Sequence, residues 1–193
     1  MQKSTEFASP ILEVIQQRRS RRAYAEKMVE PEKIRSLFEA ARWAPSSLNE
    51  QPWFYVYAIR GQKLWNNIFE SLNEGNKVWA GSAPLLICSF ARKKFLRFDS
   101  PNPSAKYDLG AANAFLSLQA AHGGLNVHQM AGFDQQTIIK NLGVPDRYEP
   151  VIVMAIGYPG NVETLPDSLK AREIAPRERY VEGEFVLNKT FQE

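Results

Sequence analysis

The sequence predicts an α+β fold in which helices wrap a small sheet. Three observations carry this. Several segments repeat apolar residues at helical spacing. Three short runs, 53–59, 85–90 and 151–156, are aromatic, aliphatic or β-branched. One long segment, 108–121, is rich in Ala and Leu and almost free of charge.

The elements follow in order. Ile11, Leu12, Val14 and Ile15 give a short amphipathic helix over 11–17 that runs into a basic cluster at 18–22. Pro31 suits the first turn of a second helix, continued by Ile34, Leu37, Phe38 and Ala41 as far as Pro45. Pro52 opens the first strand, and Leu64, Trp65, Ile68, Phe69 and Leu72 then mark a helix. Pro84 opens the second strand, and the Pro/Ser/Asn-rich stretch 100–104 is a loop. A helix that is apolar all round is buried, so 108–121 belongs at the centre of the domain or in a subunit interface; Gly123 and Gly124 end it. Asp134 is the expected N-cap of a helix over 135–142, which Gly143 ends. The run 151–156 is apolar throughout, as in a strand covered on both faces. From about 160 the chain is polar, ending in the apolar group Phe185, Val186 and Leu187. This tail has little core of its own and is expected on another surface, such as that of a partner subunit. There is neither repeat nor linker, so residues 1–193 read as one domain.

Composition narrows the function. At 44% hydrophobic and 23% charged, the 193-residue chain is ordinary for a globular protein. Its net charge is only +3, from 24 basic and 21 acidic side chains, which argues against general nucleic-acid binding. With a single cysteine, Cys88, no internal disulfide can form. Residues 1–9 are polar and lack the apolar run of a signal peptide, and no stretch approaches the 18 apolar residues of a membrane span. A cytoplasmic protein is the expectation.

Four clusters carry candidate chemistry. Arg18, Arg19, Ser20, Arg21 and Arg22 set four guanidinium groups around one hydroxyl. Arginine's planar fork matches phosphate oxygens, although such a run also suits a solvated helix end, a nucleic-acid patch or a targeting signal. Arg177 and Arg179, after Pro176, would complete an anion site if they folded back onto 18–22. Pro45, Ser46, Ser47, Asn49 and Gln51 crowd hydroxyls and side-chain amides between a helix and a strand. Such amides could read a ring edge that alternates acceptor and donor, as a flavin pyrimidine does, or serve as turn chemistry. Met130, Ala131 and Gly132 lie just before the cap Asp134, where small residues let backbone N–H groups approach a flat ligand; a plain loop is the other reading. His122 and His128 have no partner nucleophile and read as structural, and Cys88 sits inside a strand. No side-chain catalyst is evident, which fits an enzyme whose cofactor carries the chemistry.

Taken in order, these clusters resemble the FMN-dependent nitroreductase family. Arg18-Arg19-Ser20-Arg21-Arg22 is similar to its N-terminal Arg-Arg-Ser-x-Arg motif. Pro45-Ser46-Ser47-Leu48-Asn49-Glu50-Gln51-Pro52-Trp53 is the most specific match. Asn76 before Trp79 and Ala83-Pro84, then Ala131-Gly132-Phe133-Asp134 and Ala175-Pro176-Arg177-Glu178-Arg179, complete a set that spans 11–179. The resemblance implies a nitroreductase-like fold, with a mostly antiparallel sheet and an intertwined homodimer holding FMN between subunits. Carried onto the matching positions, Arg18, Ser20 and Arg22 hold the phosphate and ring edge with Arg19 alongside, and Arg177 and Arg179 close on the phosphate. Pro45, Ser46, Ser47 and Asn49, with Gln51 nearby, come from the other subunit. Asn76 meets the pyrimidine edge, and the backbone of Ala131 and Gly132 approaches flavin N5 beside Met130. The segment 108–121 falls in the dimer interface. Tyr24 replaces a more usual Phe, and Ala131 stands where some members are acidic and others have glycine. That leaves room for a backbone role there but not a side-chain one. The loop 95–105 is the candidate lid.

The implied activity is a ping-pong transfer of reducing equivalents from NADH or NADPH through FMN to a small electron-poor acceptor such as a nitroaromatic or quinone. A flavin-binding protein with a storage role, or one running a specialised FMN-dependent oxidation, would use the same binding motifs.

Overall fold

The computed structural model describes residues 1–191; residues 192–193 of the expected 1–193 domain lie outside it. Its main sheet has four strands, β2 (Trp53–Ile59), β3 (Leu85–Arg92), β4 (Asn126–Met130) and β5 (Tyr148–Gly157), in the order β2-β3-β5-β4 with every neighbour antiparallel. The helices are α1 (Glu13–Gln17), α2 (Pro31–Arg42), α3 (Lys63–Phe69), α4 (Glu74–Ala80), α5 (Ala105–His122), α6 (Gln135–Leu142) and α7 (Asp167–Ile174). A two-stranded ribbon joins β1 (Lys3–Ser4), near the start of the chain, to β6 (Arg179–Tyr180), which follows α7.

The pleat of β3 explains the layers. Successive strand residues point to opposite faces. Leu85 and Ile87 pack with Met154 and Ile156 under Ile34, Leu37 and Ala41 of α2 and Ala112, Leu116 and Ala120 of α5. Leu86, Cys88 and Phe90 pack with Val153 and Ala155 against Trp65 and Ile68 of α3, Trp79 of α4 and Ile138 of α6. Both central strands are thus covered on two faces, as the unbroken apolar runs foretell. Pro31 stands at the first turn of α2, Asp134 caps α6 by accepting from Gln136 N at 3.0 Å, and Gly143 ends that helix in the left-handed conformation, φ 60°.

Several expectations are corrected. The stretch around His128 is the edge strand β4, not a loop. Its Asn, His and Gln weaken the strand signal, while Val127 and Met130 are buried by pairing with β5. Helix α5 starts at Ala105 rather than at 108, and within the single chain it is buried along one face. Asp108, Leu109, Ala112, Asn113, Leu116 and Ser117 face inward, whereas Tyr107 (82% exposed) and Phe115 (42%) face outward. The short polar helices α4 and α7 have no apolar period to announce them; α4 is capped by Asn73, which accepts from Asn76 N at 3.1 Å.

The chain after β5 crosses the N-terminal segment side by side. Ala25 N donates to Tyr158 O at 3.0 Å and Gly160 N to Ala23 O at 3.0 Å. A Cβ on Gly160 would overlap the Tyr24 carbonyl and lie 2.7 Å from Ala25 N. These are backbone atoms, so the strain has no cheap release. Gly160→Ala is expected to destabilise the fold by about 1–3 kcal/mol, measured as a lower denaturant midpoint at unchanged slope.

Candidate functional site

The basic segment follows directly from α1 and runs extended, with Arg18 at φ −58°, ψ 125°. It is held from below. The buried Tyr24 hydroxyl has one hydrogen to offer, to Ala155 O at 2.8 Å or Arg21 O at 3.1 Å, and His128 Nδ1 also lies 3.1 Å from Arg21 O. Glu173 of α7 reaches in, its side chain 1% exposed. Its carboxylate accepts from Arg22 N at 3.0 and 3.1 Å and from Ala23 N at 3.3 Å, and lies 3.9 Å from the Arg22 guanidinium. Arg22 sits over the Trp79 ring at 5.9 Å, and Trp79 in turn meets His128, ring centroids 4.5 Å apart.

The C-terminal arginines fold back onto this segment. Arg177 donates to Arg18 O at 2.7 Å and to Gln16 O at 2.9 Å, which satisfies carbonyls at the end of α1. Pairing of β6 with β1 fixes Arg179. Burial, and then the Arg179 charge, lower the Arg18 pKa. Arg177 is lowered by burial and then by Arg179, Arg18 and Arg19. The structure therefore gathers Arg18, Arg19, Arg177 and Arg179 into one cationic group. Glu178, the acidic residue between the last two, turns toward Lys3 at 3.9 Å.

A second part lies at the end of β4. Met130 is buried, and Ala131 is exposed. Gly132 O accepts from Asn76 Nδ2 at 2.9 Å and from Asn73 N at 3.1 Å. A Cβ on Gly132 would overlap the Asn73 side-chain amide and lie 2.9 Å from Asn76 Nδ2, so glycine lets both side chains come this close. Asn76 and the Ala131–Gly132 backbone, far apart in sequence, thus share one spot.

The loop of Pro45, Ser46, Ser47, Asn49 and Gln51 is elsewhere. It leads into β2, at one edge of the sheet, whereas Arg21, Arg22 and Trp79 gather beside β4 at the other. Its bonds are internal or run to α5: Gln51 N donates to Ser46 Oγ at 3.0 Å, Gln51 Nε2 to Asn49 Oδ1 at 3.1 Å and Ser47 N to Asp108 Oδ2 at 3.1 Å. Leu48, Asn49 and Gln51 have φ of 53°, 54° and 47°. Such non-glycine strain persists only where surroundings fix it, and it concentrates at functional sites. Here buried Glu50 fixes it, accepting from Arg92 Nη2 at 3.0 Å and from Leu96 N, in the candidate lid, at 2.9 Å. The lid itself exposes Leu96 (72%) and Phe98 (62%).

The arrangement defines a class: a helix-wrapped antiparallel sheet bearing a concentrated guanidinium site, with a strained amide-rich loop off the far edge. The family model described as the Nitroreductase family matches residues 15–158, and the chain belongs to that family. A protein of Archaeoglobus fulgidus named "Putative NADH dehydrogenase/NAD(P)H nitroreductase" is 28% identical over 152 residues, covering 77% of this chain and 84% of its own length. A crystal structure described as an oxidoreductase containing FMN superposes with a TM-score of 0.91 at 30% identity, covering 100% of this chain and 99% of that one. A crystal structure from Desulfovibrio desulfuricans, described as "a putative nitroreductase in complex with fmn", shares the fold at TM-score 0.70 and 23% identity, covering 96% of this chain and 100% of that one. Among the described residues no His, Cys, Asp and Glu group could hold a metal, and no helix is long and apolar enough to cross a membrane.

Sequence reasoning missed Glu173, Glu50 and Asn73. A lone carboxylate in a charged stretch looks solvated, so nothing local marks Glu173 and Glu50 as buried, and the exposed Asn73 cap precedes a helix with no apolar period. Replacing Glu173 by Ala leaves the Arg22 and Ala23 amides and the Arg22 charge without their partner. This should cost about 3–5 kcal/mol of stability, read from chemical denaturation. His128 gives a pH signature. Burial, then the Arg22 charge, push its pKa down to about 4, while an unfolded His titrates near 6.5, roughly. In that window the unfolded chain binds the extra proton. The stability contributed by neutral His128 is therefore complete above the unfolded pKa and is lost as pH falls toward the folded one. Denaturant midpoints between pH 7 and 4.5 should fall less steeply for His128→Gln than for wild type.

Proposed function

We propose that this chain is an FMN-dependent NAD(P)H oxidoreductase that works as a homodimer, with residues 1–193 forming one FMN-binding domain. The observation that carries the proposal is the convergence of Arg18, Arg19, Arg177 and Arg179. Crowded guanidinium groups repel one another, and a phosphate monoester with nearly two negative charges relieves that repulsion while offering acceptors to each fork. The residues fit the cofactor. Ser20 adds a hydroxyl within 3.3 Å of Arg18 Nη1, and Ala131, next to Gly132, is exposed to a flat ring.

In this reading Arg18, Arg19, Ser20, Arg177 and Arg179 hold the phosphate. Arg22, braced by Glu173 and Trp79, and Asn76 address the ring edge. The backbone of Ala131 and Gly132, beside Met130, faces the reactive nitrogen. Pro45, Ser46, Ser47, Asn49 and Gln51 are supplied by the partner, since one chain leaves them at the opposite sheet edge. The outward face of α5, with Tyr107 and Phe115 exposed, suits the dimer contact. The tail from about 160 first braces its own chain through α7 and Arg177. Its exposed end, Phe185, Val186, Leu187 and Phe191, then extends over the partner. When bound, FMN would supply the redox chemistry, carrying reducing equivalents between NADH or NADPH and an electron-poor acceptor such as a nitroaromatic or quinone. The protein holds the ring, places N–H donors where negative charge develops, and leaves one ring face open.

The test is FMN titration of the purified protein with particle mass followed by sedimentation. Flavin bands that stay with a two-chain particle, bleach under NADH or NADPH without oxygen, and give parallel double-reciprocal lines with an acceptor are expected. A flavin that binds but stays oxidised would point instead to storage or a specialised oxidation. Arg179→Ala should weaken FMN binding by about 1.5–3 kcal/mol, and unchanged affinity would leave the C-terminal arginines as surface charge.

A further inference from the structure

Behind the basic segment lies another cationic cavity. Extended backbone sends alternate side chains to opposite sides. Arg18 and Ser20 meet each other, and Arg18 feels Arg179. Arg19 and Arg21 instead line a cavity of about 410 Å³ together with Gln17, Asn126, Gly160 and Glu173. It sits where the chain after β5 crosses residues 23–25, at the start of β4.

Three features give this cavity its chemistry. Arg19 and Arg21 each spend a single N–H contact on a carbonyl, Ala175 O at 3.4 Å and Glu173 O at 3.0 Å, out of five donors apiece. Asn126 Nδ2 is buried and has no hydrogen-bond partner in the protein. Such an orphaned donor is rare in a folded protein and calls for an acceptor. The Glu173 carboxylate on the wall is engaged by Arg22 N, Ala23 N and the Arg22 guanidinium, and Arg172 adds a further positive charge felt at Arg22. It does not neutralise Arg19 and Arg21. Two guanidinium groups with spare donors thus line a space larger than a simple inorganic ion.

We infer that this cavity is a binding site for the oxyanion group of a small organic acid or phosphate compound, received by the guanidinium forks of Arg19 and Arg21 with Asn126 on the wall beside them. It is separate from the phosphate position proposed for FMN. Arg19 borders both, whereas Arg21 and Asn126 belong to this cavity. An anion here would brace the 18–22 segment from behind, opposite the face that Arg177 and Arg179 close.

The test uses FMN-saturated protein, so that the cofactor region is filled. Calorimetric titrations with inorganic phosphate and with succinate are compared for wild type, Arg21→Gln and Asn126→Leu. Saturable binding of at least one probe is expected, weakened tenfold or more in both variants, with FMN affinity unchanged. Preference between the probes assigns the anion as phosphate or carboxylate. Absence of saturable binding by either probe, or equal affinity in wild type and variants, would overturn the inference. Asn126→Leu keeps the test decisive if Arg21→Gln folds poorly, because it removes a buried orphan donor and should melt no lower than wild type. Should the wild type fail to bind FMN at all, the flavin reading falls. The same titrations on the chain as purified would still decide the anion site.

Discussion

One buried carboxylate organises the functional end of this molecule. Glu173 takes two backbone amides and one guanidinium from the 22–23 segment while almost wholly removed from water. Burying a charge is costly unless hydrogen bonds replace its hydration, and here they come from the segment whose side chains must be aimed. The consequences spread outward. With the Arg22 and Ala23 amides satisfied, the chain stays extended, Arg18 and Arg19 stand off one end of α1, and Arg22 is laid over Trp79. α7 is then positioned so that the residues after it, Arg177 and Arg179, return to the end of α1 and to β1. A structure that gathers like charges needs such a clamp, because mutual repulsion would otherwise disperse them.

Glu50 does a similar service at the opposite edge of the sheet. Its carboxylate ties the strained loop before β2 to Arg92 and to the loop after β3. Three non-glycine residues in the left-handed region are held there with little contact to the rest of the chain beyond Glu50 and Asp108. In the proposed dimer this amide-rich loop, far from the cationic cluster of its own chain, would complete the partner's site. Exposed aromatic residues on the outer face of α5 accord with the same arrangement.

The sheet is the rigid frame between these two ends. β3 and β5 present alternate side chains to helices on both faces, so neither can shift by one residue without turning a buried face outward. That fixity sets the separation of the two candidate half-sites. It also fixes β4, whose polar residues look unsuited to a strand but whose start offers Asn126 to one cavity and whose end offers Gly132 to another spot.

Much of this was legible in the residues. The strands 53–59, 85–90 and 151–156, the cap at Asp134 and the stop at Gly143 follow from local chemistry, as does the concentration of guanidinium groups in two arginine clusters. Local rules suffice there because periodicity, caps and guanidinium geometry depend on near neighbours. The edge strand β4, the short helices α4 and α7, and the half-open face of α5 depended on pairing and packing with distant segments. So did the burial of Glu173 and Glu50, which look like any solvated glutamate until the fold supplies their amide and guanidinium partners. The sequence by itself determined which chemical groups were available. Only tertiary structure decided which of them meet, because the cost of burying a charge or an amide depends on partners distant in the chain, 151 residues for Arg22 and Glu173 and 42 for Glu50 and Arg92.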